Sequence, residues 1–347
     1  MEAEAFEVLG LAAVALAFAL VFAEPATPRR TLFVKGGVGL AGSAAIVTAP
    51  TFDLALLVFL VLGILQAAIG GVRPFALRLR PPAIAVAMAA GGLLLARVTG
   101  PDVLMRFAAV GLGAGLAASV GLLPYVHVVE TDEGVPSSPF AWLAFVGPVL
   151  AVIFVARTQA LLSPDGWSAF GAILIGLGLL NIAWGGVASW LASDVASAWR
   201  YSFLADWGLV LCGFGVTVID GQRAALLVLF TIALCRLPLY LLWRQAPPER
   251  TAQVRPVNLV VAAALAGSAP FAGFAARILL LRATTQVFWP LALALALGML
   301  LWLPGSLRLG RSVGLPRGRQ AAGVVLVLVV NAAAGLYPLP LLSVAHL

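Results

Sequence analysis

Apolar runs about as long as a bilayer is thick recur along almost the whole sequence. A transmembrane helix needs roughly 20 predominantly apolar residues. Runs of that kind lie near residues 6–23, 32–49, 52–72, 83–98, 103–123, 139–156, 167–191, 201–219, 222–243, 257–281, 286–304 and 321–342. Little chain remains between them for a soluble domain. The pattern therefore predicts an all-α, polytopic membrane protein with about twelve transmembrane helices.

Charge is sparse and unevenly placed. Hydrophobic residues make up 62% of the chain, charged residues only 10%, and the mean hydropathy is +1.07. The net charge of +7 comes from arginines that cluster in about every second loop, at 29–30, 73–80, 244–255 and 308–319. The positive-inside rule places these loops in the cytoplasm and both termini outside. The basic balance thus reports membrane orientation, and we expect no nucleic-acid partner.

The first span, 6–23, follows acidic residues and lacks a basic leader. We therefore interpret it as a helix of the mature protein and not as a cleaved signal. Cys212 and Cys235 lie inside apolar runs without metal-ligand spacing, and we interpret both as small buried hydrophobic residues. The two histidines, His127 and His346, are far apart. Neither a catalytic motif nor a cofactor-binding motif is present, so we expect no cofactor and no metal site.

The tenth span carries the most informative local pattern. Its apolar run contains Gly267, Pro270 and Gly273, and then Arg277. Glycine and proline open the backbone hydrogen-bond ladder, which a membrane helix tolerates only where protein or a watery cavity satisfies the freed groups. A cation inside a span marks a functional site by default. The alternative is that the long Arg277 side chain extends to the lipid headgroups.

A second glycine-rich span lies five spans earlier, at 103–123. Corresponding broken helices in two halves of a transporter point to inverted repeats around a pathway at the membrane midplane. The sequence therefore predicts a single membrane domain with two five-helix repeats, 32–156 and 167–304, flanked by the helices 6–23 and 321–342. Glycine is also common where membrane helices pack closely, which is the alternative explanation for 103–123.

Three segments resemble the antiporter-like membrane subunits of proton-pumping NADH:quinone oxidoreductase (complex I), which are shared with Mrp cation/proton antiporters and membrane-bound hydrogenases. The first runs from Leu123 to Arg157 and contains Leu-Pro-Tyr-Val-His and Gly-Val-Pro, similar to Pro-Phe-His-x-Trp and Gly-Ala-Pro. The second runs from Asp194 to Gly208 and includes Tyr-Ser. The third, Ser268 to Arg277, is similar to Leu-Pro-Pro-x-x-Gly-Phe-x-x-Lys. The resemblance covers about residues 50–300, and the family's fourteen helices become twelve if the first two are missing.

The resemblance implies a central chain of lysines and a glutamate that carries protons, and this sequence departs from it. The helix that should hold the glutamate, 52–72, contains no acid between Leu54 and Gly71, where Gln66 is the only strongly polar side chain. The lysine expected before Pro124 falls on Ser119, and the one expected before Arg157 falls on Pro148. Arginine stays protonated where lysine can release its proton, so Arg277 is a poor relay member. We therefore expect a largely degraded proton pathway.

Two further charges lie within apolar runs of the second half, Asp206 in the eighth span and Arg236 in the ninth. Each is predicted to lie roughly 8–10 Å inside its span, too deep to remain unpaired cheaply. We predict that they form an ion pair. The pair either fixes two helices together or belongs to a polar axis that continues to Arg277.

Three functions remain open. The first is an antiporter-like membrane-arm subunit of a multisubunit ion-translocating assembly in the cytoplasmic membrane of a prokaryote, with other integral membrane subunits as partners. The second is a scaffold subunit of such an assembly. The third is an independent secondary transporter. In the first two cases the chain is at most a non-catalytic subunit of an oxidoreductase.

Overall fold

The computed structural model describes residues 2–22, 29–69, 75–98, 102–125, 147–244, 255–314, 316 and 318–338. Within these ranges every regular element is helical. The helices are α1 Glu2–Phe22, α2 Arg29–Thr48, α3 Phe52–Ile69, α4 Phe75–Arg97, α5 Asp102–Ser119, α6 Gly147–Leu161, α7 Pro164–Leu191, α8 Val195–Gly215, α9 Ile219–Thr231, α10 Leu237–Arg244, α11 Pro256–Ala266, α12 Ala272–Val287, α13 Trp289–Leu301, α14 Leu303–Ser312 and α15 Gly318–Leu336. A π-helical turn, Ile232–Arg236, joins α9 to α10.

Each of the twelve predicted spans overlaps at least one of these helices. Six described helices are long and apolar enough to cross a bilayer: Glu4–Phe22, Leu79–Arg97, Pro164–Leu191, Ile219–Trp243, Trp289–Ser312 and Gly318–Leu336. Five more are apolar but shorter: Gly36–Thr48, Phe52–Ala68, Val103–Ser119, Gly147–Leu161 and Pro256–Ala266. The prediction of an all-α, multi-pass membrane protein is confirmed.

The predicted break in the tenth span is present and divides it into α11 and α12. Helix α11 has 11 residues, which at about 1.5 Å per residue reach only about half of a hydrocarbon core about 30 Å thick. Gly267 ends it in the left-handed conformation (φ 63°, ψ 42°), where a side chain would be strained. The C-terminal end of α11 and the N-terminal end of α12 therefore meet in the interior of the span.

The fifth span ends at one of its glycines, Gly121, as predicted, whereas its other glycines do not interrupt the helix. Helix α5 continues through Gly111 and Gly115 and ends only at Ser119, followed by a turn in which Gly121 has a φ of 70°. A Cβ on Gly111 would lie 2.9 Å from the Cα of Gly92 in α4, and a Cβ on Gly115 would lie 2.9 Å from the backbone nitrogen of Ala89 in the same helix. These glycines therefore serve close helix packing, the alternative considered above. His127 and the predicted Gly134–Pro136 motif lie outside the described residues.

The eighth span is shifted from its predicted limits. Helix α8 runs from Val195 to Gly215. It begins earlier than predicted because Asp194 caps its start. The N–H and the hydroxyl of Ser197 each donate a 2.7 Å hydrogen bond to the Asp194 carboxylate, and these bonds lower the pKa of Asp194. The earlier start places Asp206 near the middle of α8, about 16 Å from its first residue and deeper than predicted.

Backbone contacts divide the chain into two compact units. The first consists of Met1–Leu16 and Thr27–Leu174, and the second consists of Ala17–Ala26 and Ile175–Leu347. In the first unit, α2 packs on α3, α3 on α4 and α4 on α5. In the second, α8 packs on α9, α9 on α12 and α11 on α14. Cys212 and Cys235 are buried in the second unit, as their apolar surroundings predicted.

The two units contain a matching arginine contact. In the first unit, Arg157 of α6 donates hydrogen bonds of 2.7 and 3.0 Å to the carbonyls of Ala49 and Pro50, directly after α2. In the second, Arg308 of α14 donates bonds of 2.9 and 2.5 Å to the carbonyls of Trp190 and Ala192, at the end of α7. Arginine side chains at helix C-termini satisfy carbonyls that lack a helical partner. In both units, the capping arginine thus lies just after a predicted span, and that span comes four spans after the one whose end the arginine caps.

We predict that Arg157→Ala and Arg308→Ala lower the stability of the protein by similar amounts, about 1–3 kcal/mol each, because each removes two charge-assisted hydrogen bonds to carbonyls. Arg311→Ala is the control, since Arg311 is exposed in the last turn of α14 and should change stability by less than about 0.5 kcal/mol. Thermal unfolding in detergent measures all three. A large loss of stability on replacing only one of the two capping arginines would contradict the correspondence between the contacts of the two units.

Candidate functional site

A buried ion pair lies in the second unit, between Arg236 in the π-helical turn and Asp206 in α8. The Nε of Arg236 contacts Asp206 Oδ2, and its Nη2 lies 3.5 Å from Oδ1. Both residues are buried, with exposed fractions of 3% and 6%. The pairing predicted from the sequence is therefore present. Because α8 begins earlier than predicted, the pair lies near the middle of that helix.

Arg236 also connects α8 to the broken helix. Its Nη1 donates to Ser202 Oγ at 3.0 Å, and its Nη2 donates to the carbonyl of Leu265 at 2.8 Å. Leu265 belongs to the last turn of α11, where carbonyls lack intrahelical partners and carry the negative end of the helix dipole. The guanidinium therefore satisfies the end of the half-helix that the break exposes.

The π-helical turn Ile232–Arg236 determines where this guanidinium points. One additional residue in a helix rotates everything beyond it by about 100° relative to a regular α-helix. Single π turns inside α-helices occur frequently at functional sites. The irregularity ends at Arg236 itself, so the local backbone and the ion pair belong to one arrangement. The periodicity of apolar residues gave no signal for it.

The break itself is a compact turn between α11 and α12. The N–H groups of Gly267 and Ser268 bond to carbonyls in the last turn of α11, and the Ser268 hydroxyl donates to the Ala263 carbonyl at 2.8 Å. On the other side, the N–H of Ala272 donates to Oδ1 of Asn331 in α15 at 3.2 Å. Side chains and turn bonds thus replace the interrupted helical ladder, as the bilayer requires.

Arg277 points back toward the break from one turn inside α12. A Cβ on Gly267 would lie 2.8 Å from its Cζ, so the guanidinium packs directly against that glycine. The Cζ of Arg277 lies 4.6 Å from the centre of the Trp302 ring, and that of Arg236 lies 4.8 Å from the same centre. Helical side chains lean toward the N-terminus of their helix. Arg277 therefore contacts the break and an aromatic ring, and the alternative in which it only extends to headgroups does not describe its position.

A small cavity adjoins these charged groups. Asp206, Arg236, Arg277, Gly267 and Gly273 line it together with Thr231, Cys235 and aliphatic side chains. It offers about 20 Å³ to the centre of a water-sized particle, and about 10–15 Å³ is enough for one water molecule. The break, the ion pair and Arg277 thus meet around one small space.

The remaining predicted site residues lie elsewhere. Gln66, Ser119 and Pro148 belong to three different helices of the first unit, α3, α5 and α6. Ser119 is buried and its hydroxyl donates to the carbonyl of Leu116 at 2.7 Å. Pro148 is buried in the first turn of α6, and Pro270 lies in the exposed turn of the break.

Sequence reasoning missed the residues that complete the site. Trp302 gave no signal of a role, and Ser202 entered only as part of the Tyr-Ser pair of the second resembling segment. Asn331 was noticeable only as a polar side chain within an apolar run. A buried amide must find a hydrogen-bond partner, which is the signal that would have assigned it to the break.

Comparison with known proteins gives a fold. The sequence matches no protein-family model and no curated protein. The structure is similar to a chain of the membrane-bound sulfane sulfur reductase, an archaeal respiratory membrane complex, with a TM-score of 0.73 and 19% identity over 96% of this chain and 64% of that one. A chain of the Mrp complex from Dietzia sp. DQ12-45-1b gives 0.76 and 16%, over 99% and 43%.

A chain of respiratory complex I from Thermus thermophilus gives a TM-score of 0.71 and 16% identity, over 97% of this chain and 81% of that one. The protein has the fold of these three chains. It spans less than two thirds of the length of the first two. The fold-level expectation drawn from the three sequence segments is confirmed.

Proposed function

We propose that this protein is an antiporter-like membrane-arm subunit of a multisubunit ion-translocating assembly, with a largely degraded proton pathway of its own. The likeness of almost the whole chain to chains of a sulfane sulfur reductase, an Mrp complex and complex I supports the assignment. Its partners are other integral membrane subunits. Its place is the cytoplasmic membrane of a prokaryote, with both termini outside.

The observation that carries this proposal is the cluster of charges at the broken helix of the second unit. Discontinuous helices in membrane transporters place half-helix ends and buried charges at the ion or substrate pathway. Here the end of α11 meets Arg236, and the start of α12 lies beside Arg277 and Asp206. Asp206 is the acid in this cluster and the one group of the three that can exchange a proton readily, because arginine stays charged.

The first unit supports the idea of a degraded pathway. A proton relay needs groups that bind and release protons near neutral pH. Serine, proline and glutamine, which stand at positions 119, 148 and 66, do not do so. These three positions of the first unit therefore do not carry protons.

The matching contacts of Arg157 and Arg308 support the proposed pair of five-helix repeats, 32–156 and 167–304. Each arginine lies just beyond the last residue of its repeat and caps the first helix of that repeat. Independent origins for the same contact in both halves would be a coincidence. A duplicated five-helix unit produces it directly.

Purification from the native host through an affinity tag tests the assignment. We expect other integral membrane proteins to accompany this chain in fixed stoichiometry, and we expect its yield to fall when the neighbouring genes are deleted. A chain that purifies well by itself and transports a solute in liposomes is an independent transporter, and the proposal is then wrong.

Within the assembly, we predict that Arg277→Ala lowers ion flux or subunit incorporation several-fold, because it removes a charge at the break. Ser119→Ala should leave both unchanged, since that hydroxyl bonds within its own helix. Proton uptake in reconstituted vesicles and the amount of assembled complex are the two measurements. Equal losses from both substitutions would count against the ranking of the two units.

A scaffold role is the second candidate, favoured by the uncharged side chains at positions 66, 119 and 148 of the first unit. It predicts that Asp206→Asn, once folded and assembled, leaves ion flux intact, since a scaffold needs no exchangeable proton. The ion-translocating role predicts that the same variant loses flux at normal assembly.

A further inference from the structure

A surface groove lies between α4 and α5 in the first unit. Helix α4 contributes residues between Ala87 and Leu95 to its lining, and α5 contributes residues between Leu104 and Gly111. All of the lining residues are apolar, and the volume of the groove is about 650 Å³. Pockets that bind small molecules usually measure about 300–1,000 Å³. Because both helices are apolar spans, the groove lies in the hydrocarbon region of the membrane.

Glycines form the floor of the groove. A Cβ on Gly92 would lie 2.7 Å from the carbonyl oxygen of Ala108 in α5, so this glycine lets the two helices touch. Its neighbour Gly91 is exposed, and no described atom lies within 4 Å of a Cβ placed there. Larger side chains form the walls, among them Leu94 of α4 and Phe107 of α5, which are 64% and 59% exposed. The chain thus leaves a hollow between two apolar walls, and an occupant gains van der Waals contacts on several sides.

The depth of the groove is close to that of one leaflet. From Leu95 to Ala87, α4 rises about 12 Å, and from Leu104 to Gly111, α5 rises about 10 Å. One leaflet is half of a hydrocarbon core about 30 Å thick. A transmembrane helix of a partner crosses the whole core, so more than half of its length would lie outside the groove. A single acyl chain that enters at the end where α4 leads into α5 matches this depth.

A cation stands at that end of the groove. Arg106 is exposed in the second turn of α5, between the lining residues Leu104 and Phe107. Within the described part of the chain it has neither an ion pair nor a hydrogen bond, whereas Arg97, at the end of α4, pairs with Asp53. The long arginine side chain can extend from a span to the level of the headgroups. There, a phosphate accepts two hydrogen bonds from one guanidinium.

The apolar lining alone does not select an occupant, because lipid tails are as apolar as the lining itself. The charge beside the groove supplies the selectivity, since basic residues next to membrane helices attract anionic headgroups. We propose that the groove binds one acyl chain of an anionic phospholipid, whose phosphate pairs with Arg106. The chain packs on Gly91, between Leu94 and Phe107. This site requires only that the protein lies in a bilayer and does not depend on the assembly proposed above.

Native mass spectrometry tests the headgroup contact on the full chain, purified with whatever subunits accompany it and then delipidated. The protein is titrated with phosphatidylglycerol and with phosphatidylcholine that carries the same acyl chains. We expect the first phosphatidylglycerol to bind about fivefold more tightly than phosphatidylcholine, the effect of one arginine near the membrane surface. Arg106→Gln should remove this preference. Arg282→Gln is the matched control, because Arg282 is 66% exposed and already pairs with Asp220.

Gly91→Leu tests the acyl-chain contact. The new side chain fills the groove without meeting other described atoms, so it should weaken the binding of both lipids several-fold. Gly176→Leu is the matched control, since Gly176 lies in α7 and its Cβ position is equally open. Leucine has a higher helix propensity than glycine, and both variants should therefore fold. We expect Gly176→Leu to bind both lipids as the wild type does.

Phosphatidylglycerol with a photoreactive group on its acyl chain locates the site in native membranes. The expected label lies on Met88 and its neighbours in α4 and on Phe107 in α5. The proposal is overturned if the wild type binds both lipids equally, if Gly91→Leu and Gly176→Leu behave alike, or if the label avoids α4 and α5. A partner subunit that cross-links to Met88 in place of the lipid also overturns it. Should a variant fail to fold, the wild-type titration and the label decide alone.

Discussion

Replacing Asp206 with leucine is expected to lower the free energy of unfolding by about 3–5 kcal/mol, because it leaves Arg236 buried without its counter-charge. Arg236 would keep its bonds to Ser202 and to the Leu265 carbonyl. These neutral acceptors do not offset a full charge in a low-dielectric interior. Arg277, on the same cavity, would then repel a second unpaired cation. Most of the variant should fail to accumulate as folded protein.

Reversible unfolding in mixed micelles, together with gel filtration of the solubilised protein, measures this loss. Asp220→Leu is the control: Asp220 pairs with a largely exposed arginine, so its removal should cost no more than about 1 kcal/mol. The double variant Asp206→Leu/Arg236→Met should recover much of the lost stability, since replacing a whole buried pair with apolar groups is often neutral. Equal losses for Asp206→Leu and Asp220→Leu would show that the pair is not buried in the folded protein.

The pairing of Asp206 with Arg236 was predictable because an ionised side chain inside an apolar run has a high free energy unless an opposite charge lies beside it. A carboxylate and a guanidinium in neighbouring spans satisfy each other, so the positions of these two charges in the sequence indicated that they pair. Their depth was not predictable. The start of α8 depends on the cap formed by Asp194 with Ser197, which lengthens the helix at the end where hydropathy is lowest. The π-helical turn left no trace in the periodicity of apolar residues.

The two glycine-rich spans also contain features that the sequence alone did not determine. At Gly267, glycine is followed by proline, and the backbone takes a left-handed conformation that ends the helix. At Gly111 and Gly115, the glycines stand inside a regular helix and permit the close approach of α4. Sequence alone does not separate these uses, because a missing side chain serves both a turn and a contact. Proline near the glycine was the distinguishing signal.

The last helix, α15, holds the break in place at two adjacent turns. Asn331 accepts the hydrogen bond from Ala272 at the start of α12. Four residues later, Gly335 lies so close to the turn that a Cβ there would overlap the backbone atoms of Pro270, Phe271 and Ala272. Backbone atoms of a constrained turn give way less easily than a flexible side chain. The position of α12, and with it that of Arg277, thus depends on the absence of a side chain at Gly335.

We therefore expect Gly335→Ala to destabilise the protein by about 1–3 kcal/mol, the usual cost of forcing additional atoms into a packed contact. Gly176→Ala is the opposite control. Gly176 lies inside α7, with no neighbouring atom near a new Cβ, and alanine there should stabilise the helix by up to about 1 kcal/mol. Thermal unfolding in detergent distinguishes the two signs. Stabilisation by both substitutions would mean that α15 does not contact the break, and the position assigned to Arg277 would then lose its support.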